Sequence, residues 1–373
     1  MKKVAIIAPI HKWEDIRVFK KEAKTLAQNG YRVTLYAKHK EALKLNSNGI
    51  EIIDINKNMS GLISRIKLQL RMFKTVKQSD ASIFHFHNPD TLIIALLSKI
   101  LLRKKVIYDT HEDFSQRIMM RVWIPKLLRY PAAKAIEFLE KRATNILDKV
   151  IVTQQELDDK YNNNTLVLLN APVVNRELVM DKDFTQKIFR VIYIGGISHE
   201  RGIEEFLSAY GEFVENKKHI QEFEFYLIGP CSNKYLNQLK ANQYWHLVNY
   251  LGELPQEEAF AYLEKSDVGI CTILDVGDHK NTSANKLYEY QMYQVPFIAT
   301  NFEKWKAELA SINSGIFINP NNKQDIINAL EKLYSNPALR CKMGQNGREY
   351  ILKEFNWGFE EKKLLSLYEE ILK

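Results

Sequence analysis

The chain has few residues that could cross-link it and no segment long enough to hold it in a bilayer. Its 373 residues include only three cysteines, Cys231, Cys271 and Cys341, far apart and odd in number. That excludes a disulfide framework and a dense zinc site, and it fits a reducing compartment. The longest apolar run, Thr91–Leu102, is interrupted by Ser98 and Lys99. It falls short of the ~20 apolar residues that a membrane span needs. The apolar start Val4–Ile10 contains Pro9 and runs into His11, without the small-residue cleavage site of a signal peptide. No repeat of solenoid period is present. With 46% hydrophobic and 26% charged residues, the composition is that of an ordinary globular chain rather than a collagenous or disordered one. At roughly 100–200 residues per domain, two domains are expected.

Charge is unevenly spread. Residues 1–170 carry 30 Lys and Arg against 17 Asp and Glu, a balance of +13, which leaves −5 for the remainder of a chain whose total is +8. A basic first half joined to an acidic second half points to an anionic partner for the first: a phosphorylated substrate, an anionic membrane surface, or nucleic acid. A merely solvated basic surface would look the same. Nucleic acid has only charge in its favour, since no recognition motif accompanies it.

Short apolar runs alternate with longer amphipathic stretches. Lys3–Ala8, Tyr31–Tyr36, Ile50–Ile55, Ser82–Phe86, Lys105–Tyr108, Lys149–Val152 and Thr165–Leu169 read as strands. Between them Asp15–Gln28, Gly61–Gln78, Asp90–Leu102 and Pro131–Ile146 read as helices. The alternation restarts with strands at Arg190–Ile194, Glu224–Ile228, Leu247–Leu251, Val268–Cys271, Pro296–Ala299 and Gly315–Ile318. Repeated strand–helix–strand units make parallel sheets covered by helices. The polar stretch from Asn170 through Pro172 to Lys187 marks the boundary between the two runs. Two doubly wound domains of α/β class are expected, with ligands beyond the carboxyl ends of their strands in a cleft between them.

Two stretches of the second half carry chemistry. In Tyr193–Gly202 a strand ends, turns and opens a helix. Gly195 and Gly196 would let backbone N–H groups approach an anion, and Arg201 adds a cation. The segment is neither a dinucleotide fingerprint nor a P-loop, and by itself it is equally a tight strand-to-helix turn. In Asn281–Tyr290, Thr282 and Ser283 are expected to cap a helix whose first turn holds Lys286. A cation there opposes the helix dipole, which a bound anion would explain. Glu289 lies one turn further on roughly the same face, placed either to accept two ribose hydroxyls or to pair with Lys286. In the first half, His85 and His87 alternate on one strand and are expected on opposite faces. That would deny a metal ion a pair of ligands, and no metal is expected.

Asn281-Thr-Ser-Ala-Asn-Lys-Leu-Tyr-Glu-Tyr290 and the following Gln-Met-Tyr-Gln-Val-Pro296 resemble the signature of retaining glycosyltransferases of family 4, which have the two-domain GT-B fold. The resemblance extends over nearly the whole chain. Gly195–Gly202 is similar to that family's donor-phosphate loop, Val248–Pro255 to its strand near the nucleotide base, and Ser266–Gly269 to a following strand. His85–Asp90 and Val106–Asp113 are similar to strand ends of the first domain, and Phe355–Leu372 to a C-terminal helix that crosses back onto it.

The resemblance implies domains at 1–170 on the acceptor side and 171–355 on the nucleotide-sugar side, with 356–373 returning to the first. It implies transfer of a sugar from a nucleotide-diphosphate sugar, as co-substrate, to a hydroxyl acceptor with retention of configuration. It implies that His111, Asn281 and Glu289 are catalytic, with Glu289 holding the donor ribose and His111 against the donor sugar. Gly195, Gly196, Arg201, Leu251, Ser283, Ala284, Asn285 and Lys286 would complete the donor site. The segment after the first strand, with His11, Trp13, Asp15 and Arg17, would face the acceptor together with His87. Departures are Asn281 for a Glu, Gly196 for an Arg, and Ala284 for a Pro. They leave two alternatives standing, a nucleotide-sugar epimerase on the same fold and a non-catalytic nucleotide-sugar-binding protein. No cofactor is implied, and no Asp-x-Asp occupies the strand-end loops that would hold a donor-bound metal. The basic stretches Gly61–Gln78 and Arg117–Arg129 mix cations with bulky apolar residues. They suggest a cytoplasmic protein at an anionic inner membrane face, acting on a lipid-linked or polysaccharide acceptor.

Overall fold

The computed structural model describes residues 1–39, 44–55, 62–111, 113–120, 124–161, 164–174, 182–217 and 222–373. Gly61, residues 121–123 of the second basic stretch, and residues 175–181 of the expected boundary lie outside them. The chain divides into two compact units, 1–170 with 357–373, and 171–356.

The first unit is built on eight strands: β1 (Lys3–Lys12), β2 (Arg32–Lys38), β3 (Lys44–Ser47), β4 (Ile50–Asp54), β5 (Ile83–His87), β6 (Lys105–Thr110), β7 (Lys149–Val152) and β8 (Thr165–Val167). Their order is β3-β4-β2-β1-β5-β6-β7-β8. All neighbours are parallel except β3 against β4. The apolar runs are buried on both faces because helices cover both, as Val4, Ala5, Ile6, Ile7 and Ala8 at 1% exposure or less illustrate. Strand β1 extends four residues beyond the expected Ala8, so His11 sits on the strand rather than in a loop. The following helical stretch opens as a π-type turn, Ile16–Ala23, before its α-helical end Lys24–Gln28. The helix expected from Pro131 starts at Lys126 and carries Pro131 inside it, in the second turn, where it cannot donate the usual i→i−4 hydrogen bond.

The second unit holds six parallel strands, β9 (Phe189–Ile194), β10 (Phe223–Ile228), β11 (Val248–Gly252), β12 (Val268–Cys271), β13 (Phe297–Thr300) and β14 (Gly315–Ile318). Their order is β11-β10-β9-β12-β13-β14. In each sheet the winding reverses once, between β1 and β5 in the first and between β9 and β12 in the second. Open α/β sheets bind ligands at such a reversal, outside the carboxyl ends of the strands. The architecture is the GT-B fold, two Rossmann-like α/β domains.

The helix Trp357–Leu372 belongs to the first unit. Its Trp357, Leu364, Leu367, Tyr368 and Ile371 join the cluster that contains Val4, Ile6, Val33 and Leu35. Trp357 Nε1 donates to Thr25 Oγ1 at 2.9 Å, and Glu360 accepts from the Leu169 amide at 2.8 Å. The last helix is therefore part of the first core rather than an appendage. Replacing Trp357 by Ala should cost the first unit ~3–5 kcal/mol, the range for deleting a large buried side chain. A urea midpoint unchanged from wild type would show that the helix is dispensable to that core.

Candidate functional site

At the reversal point of the first sheet, the ends of β1, β5 and β6 bring together groups far apart in sequence. Asp15 follows β1 and caps the π-type helix. Its Oδ1 accepts from the Arg17 and Val18 amides, each at 2.9 Å, and its Oδ2 lies 2.9 Å from His11 Nδ1. Burial works against the ionised Asp15 carboxylate, but the bond and charge of His11 and the Val18 amide leave its pKa below the ordinary value. Arg17 points inward. Its guanidinium donates to Asp109 Oδ2 at 2.8 Å and to Leu168 O at 3.1 Å. Its Nε is also 3.0 Å from Glu22 Oε1.

His85 and His87 share one face of β5. Their rings stack with centroids 4.5 Å apart. The expectation of opposite faces was wrong, because the side-chain period of a strand is two and residues two apart fall on the same side. Glu22, His85, His87 and Asp109 thus place four potential metal-ligand atoms within 4.8 Å of one another. The Arg17 guanidinium already supplies positive charge to both carboxylates. The residues fit a buried ionic network better than a metal centre.

Burial dominates the titration of this cluster. It pushes His85 and His111 down to about 4 and His87 well below its ordinary value. It pushes Glu22 up, against the pull of Arg17. Asp109 stays below its ordinary value because Arg17, with His111 and His85, outweighs its burial. His87 Nδ1 is 3.2 Å from His111 Nε2. Of the residues assigned to the acceptor side, His11 and Asp15 are partly accessible, with side chains 16% and 28% exposed. Arg17 and His87 are buried, and Trp13 packs edge-on against Phe19. Asn88, not singled out in the sequence, has φ 68° and ψ 158°, and its amide contacts His11 Nε2.

At the reversal point of the second sheet, backbone geometry makes the site. Gly195 and Gly229 have φ 140° and 143°. A Cβ on Gly229 would stand 1.9 Å from Gly195 O, so the two chain reversals can only pass each other as glycines. The Tyr193 hydroxyl donates to Gly196 O at 2.7 Å and pins the turn. Gly202 enters the next helix at φ 66°, and a Cβ there would meet Thr272 O at 2.0 Å.

Lys286 Nζ lies 3.8 Å from the Tyr193 ring centroid and 3.1 Å from where a Gly195 Cβ would be. Burial raises the Cys271 thiol to about 11 against the pull of Lys286 and Arg201. Both cations therefore act at the carboxyl end of β12. The helix Asn285–Met292 is capped by Ala284 and has no side-chain cap. Thr282 and Ser283 are not its caps as expected: the Thr282 hydroxyl turns back to His279 O at 3.0 Å, because the preceding residues form a separate turn, His279–Asn281. Ala284 thus gives the helix start no side-chain cap, and the Leu287 amide donates to Ala284 O at 3.0 Å. Ser283 and Leu251 are half-buried, Ala284 is buried and Asn285 is exposed. Asn281 is exposed and donates to Asp278 at 2.7 Å. Glu289 is half-buried, one turn beyond Lys286.

Residues 17–164 match the family model described as Glycosyltransferase Family 4, and residues 176–350 match the one described as Glycosyl transferases group 1. An uncharacterised glycosyltransferase of Methanocaldococcus jannaschii is 24% identical over 62% of this chain and 62% of its own length. The chain thus spans somewhat under two thirds of that relative. An alpha-1,4-N-acetyl-D-galactosaminyltransferase of Campylobacter jejuni, named for a diNAcBac-PP-undecaprenol-linked acceptor, is 21% identical over 83% of this chain and 80% of its own. Among solved structures, the Anabaena HepE protein in complex with UDP and glucose superposes with a TM-score of 0.72 at 12% identity, covering 99% of this chain and all of that one.

The buried histidines make the first unit acid-sensitive. A histidine whose folded pKa is depressed binds fewer protons folded than unfolded, so stability falls as pH drops from 6.5 towards 4. Glu22 and Glu140, both raised by burial in the folded state, the latter to about 7, have the opposite sign but are two groups against three. Stability should fall by ~1.4 kcal/mol per pH unit for each net proton taken up on unfolding. Urea titrations at pH 7 and pH 5 measure it, and equal stabilities would contradict neutral buried imidazoles.

Proposed function

We propose that this chain, a glycosyltransferase of the GT-B type, moves a sugar from a nucleotide-diphosphate sugar to a hydroxyl of a lipid-linked or polysaccharide acceptor, with retention of configuration. The observation that carries the donor half is Lys286 lying over the Tyr193 ring against the Gly195 turn, at a helix start with no side-chain cap and with Arg201 near enough to act on the same Cys271 thiol. A glycine turn, a helix N-terminus and two cations are the chemistry of a diphosphate site. As the bond to the anomeric carbon breaks, charge grows on the leaving diphosphate, and fixed positive groups stabilise it without reorganising. Glu289 takes the ribose hydroxyls and His111 lies against the sugar. The UDP and glucose bound by the Anabaena protein support a nucleotide-sugar donor. The Campylobacter relative's undecaprenol-linked acceptor supports a lipid-linked one.

A thermal-shift series with UDP-, GDP-, ADP- and CMP-sugars tests the donor half. The right donor at ~100 times its Kd should stabilise the protein by roughly 2.7 kcal/mol. Arg201→Ala and Lys286→Ala should each weaken a nucleoside diphosphate far more than the nucleoside. Equal loss for both ligands would remove these cations from the phosphate site.

The surface of the first unit supports work at a membrane. No described helix is long and apolar enough to cross one. The helix Leu62–Gln78 buries Leu68, Met72 and Val76 and exposes Arg65, Lys67, Arg71 and Lys74 around the exposed Ile66 and Leu70. On Lys126–Ile146, Leu127, Leu128, Tyr130 and Phe138 are exposed. Cations near an anionic leaflet contribute about 1 kcal/mol each and are screened by salt. Co-sedimentation with phosphatidylserine vesicles should rise with anionic lipid, fall with salt, and drop when Arg65, Lys67, Arg71 and Lys74 become Glu. A protein that ignores vesicles of every charge would point to a soluble acceptor.

A further inference from the structure

On one face of the first sheet, Ala5 joins the apolar cluster of Met72, Val76 and Phe84, and Tyr36 packs against it. The helix Leu62–Gln78 that covers this face ends at Gln78, and the chain turns through Ser79 into β5. Beside that turn, at the amino ends of β1, β2 and β4, a cavity of about 330 Å³ opens. Its lining is charged and hydroxylated. Thr34 and Glu51 are register partners of β2 and β4, and the Thr34 hydroxyl donates to Glu51 Oε2 at 3.4 Å. Tyr36 follows Thr34 on the same face of β2, since Val33 and Leu35 between and before them enter the other cluster. Burial, then the Glu51 and Asp80 carboxylates, raise the Tyr36 phenol above its ordinary value, so it stays a neutral donor beside them. At the rim Lys3 pairs with Asp80, and Arg32, the register partner of Lys3, is exposed. Among the described residues the Tyr36 hydroxyl and the Arg32 guanidinium have no hydrogen-bond partner.

This lining selects a class of ligand. Lys3 and Arg32 balance Glu51 and Asp80, so a charged ligand of either sign meets repulsion as well as attraction. An acceptor, Glu51, stands among donors, Tyr36 and Arg32, so the ligand must both donate and accept. Hydroxyls do both. The volume is near the low end of the ~300–1,000 Å³ usual for ligand pockets, which is room for one or two sugar rings. We propose that this cavity binds a neutral saccharide, with Glu51 accepting from its hydroxyls and Tyr36 and Arg32 donating to its oxygens. The cavity lies at the amino edge of the sheet, a strand length from the carboxyl ends that carry His11 and Asp109, so the sugar held there is not one that reacts. The inference does not depend on the glycosyl-transfer reading.

Saturation-transfer NMR on the full chain tests it, with methyl α-glucoside, N-acetylglucosamine and lactose as probes. At least one should bind. The double variant Tyr36→Phe/Glu51→Gln keeps the shape of both side chains and should weaken that sugar at least ~10-fold, as the loss of two hydrogen-bonding groups implies. Inorganic phosphate should not displace it. Failure of all three sugars to bind, an affinity within twofold of wild type in the double variant, or displacement by phosphate would overturn the inference. If the double variant does not fold, Arg32→Gln at the exposed rim takes its place. It should weaken the sugar at least ~3-fold, and an unchanged affinity would equally overturn the inference. Sugar binding without a thermal shift from any nucleotide sugar would remove the transfer reading and leave the cavity's role standing.

Discussion

The first unit is organised around one guanidinium. Arg17 comes from the helix that follows β1, Asp109 from β6, Glu22 from the next turn of the same helix, and Leu168 from just beyond β8. A charge buried this deeply is tolerable only when paired, and removing one partner of such a pair costs ~3–5 kcal/mol. The network therefore fixes how the helix lies on the sheet more tightly than apolar packing could. It also sets the histidines. His85 and His87 stack beside it without taking up charge, and His111 leans on Asp109 Oδ1 at 3.4 Å. Burial keeps these imidazoles neutral, and the charge of Arg17 adds to the effect. Neutral rings can serve as hydrogen-bond acceptors and bases.

The second unit meets the opposite requirement by different means. It needs positive charge that is accessible, and it gets it by bringing backbone close rather than by burying ions. The Gly195 and Gly229 reversals pass at a separation that no side chain would allow. That opens the space in which Lys286 lies over Tyr193. A lysine held by the face of a ring keeps its N–H donors for other acceptors.

Much of this was legible in the sequence. Buried strands announce themselves as short apolar runs, and the parallel alternation, the reversal into a second run and most strand limits followed from them. Short or polar elements were not legible. The edge strand Lys44–Ser47 has too little apolar content to show a period, and the helices Phe114–Met120, Gln155–Tyr161, Asn233–Lys240 and Glu303–Leu309 span too few turns. The donor turn was visible because glycine marks positive φ, although Gly229, which makes the turn possible, lies 34 residues from Gly195 and carries no local signal. Arg17 was read as facing a substrate because nothing local shows that Asp109, 92 residues away, will claim it. The stacking of His85 and His87 was legible in principle from the period of a strand.

The two reversal points handle positive charge differently. Stabilising a departing diphosphate requires fixed positive charge. In the second unit the cations stand at the strand ends, at Arg201 and Lys286. In the first unit Arg17 is spent on Asp109 and Glu22 beneath the surface, while Lys12 at the end of β1 is exposed and Asp15 and His11 are partly accessible. On the proposed reaction, Arg201 and Lys286 serve the leaving diphosphate, whereas the buried charge of the first unit is spent on tying its own elements together.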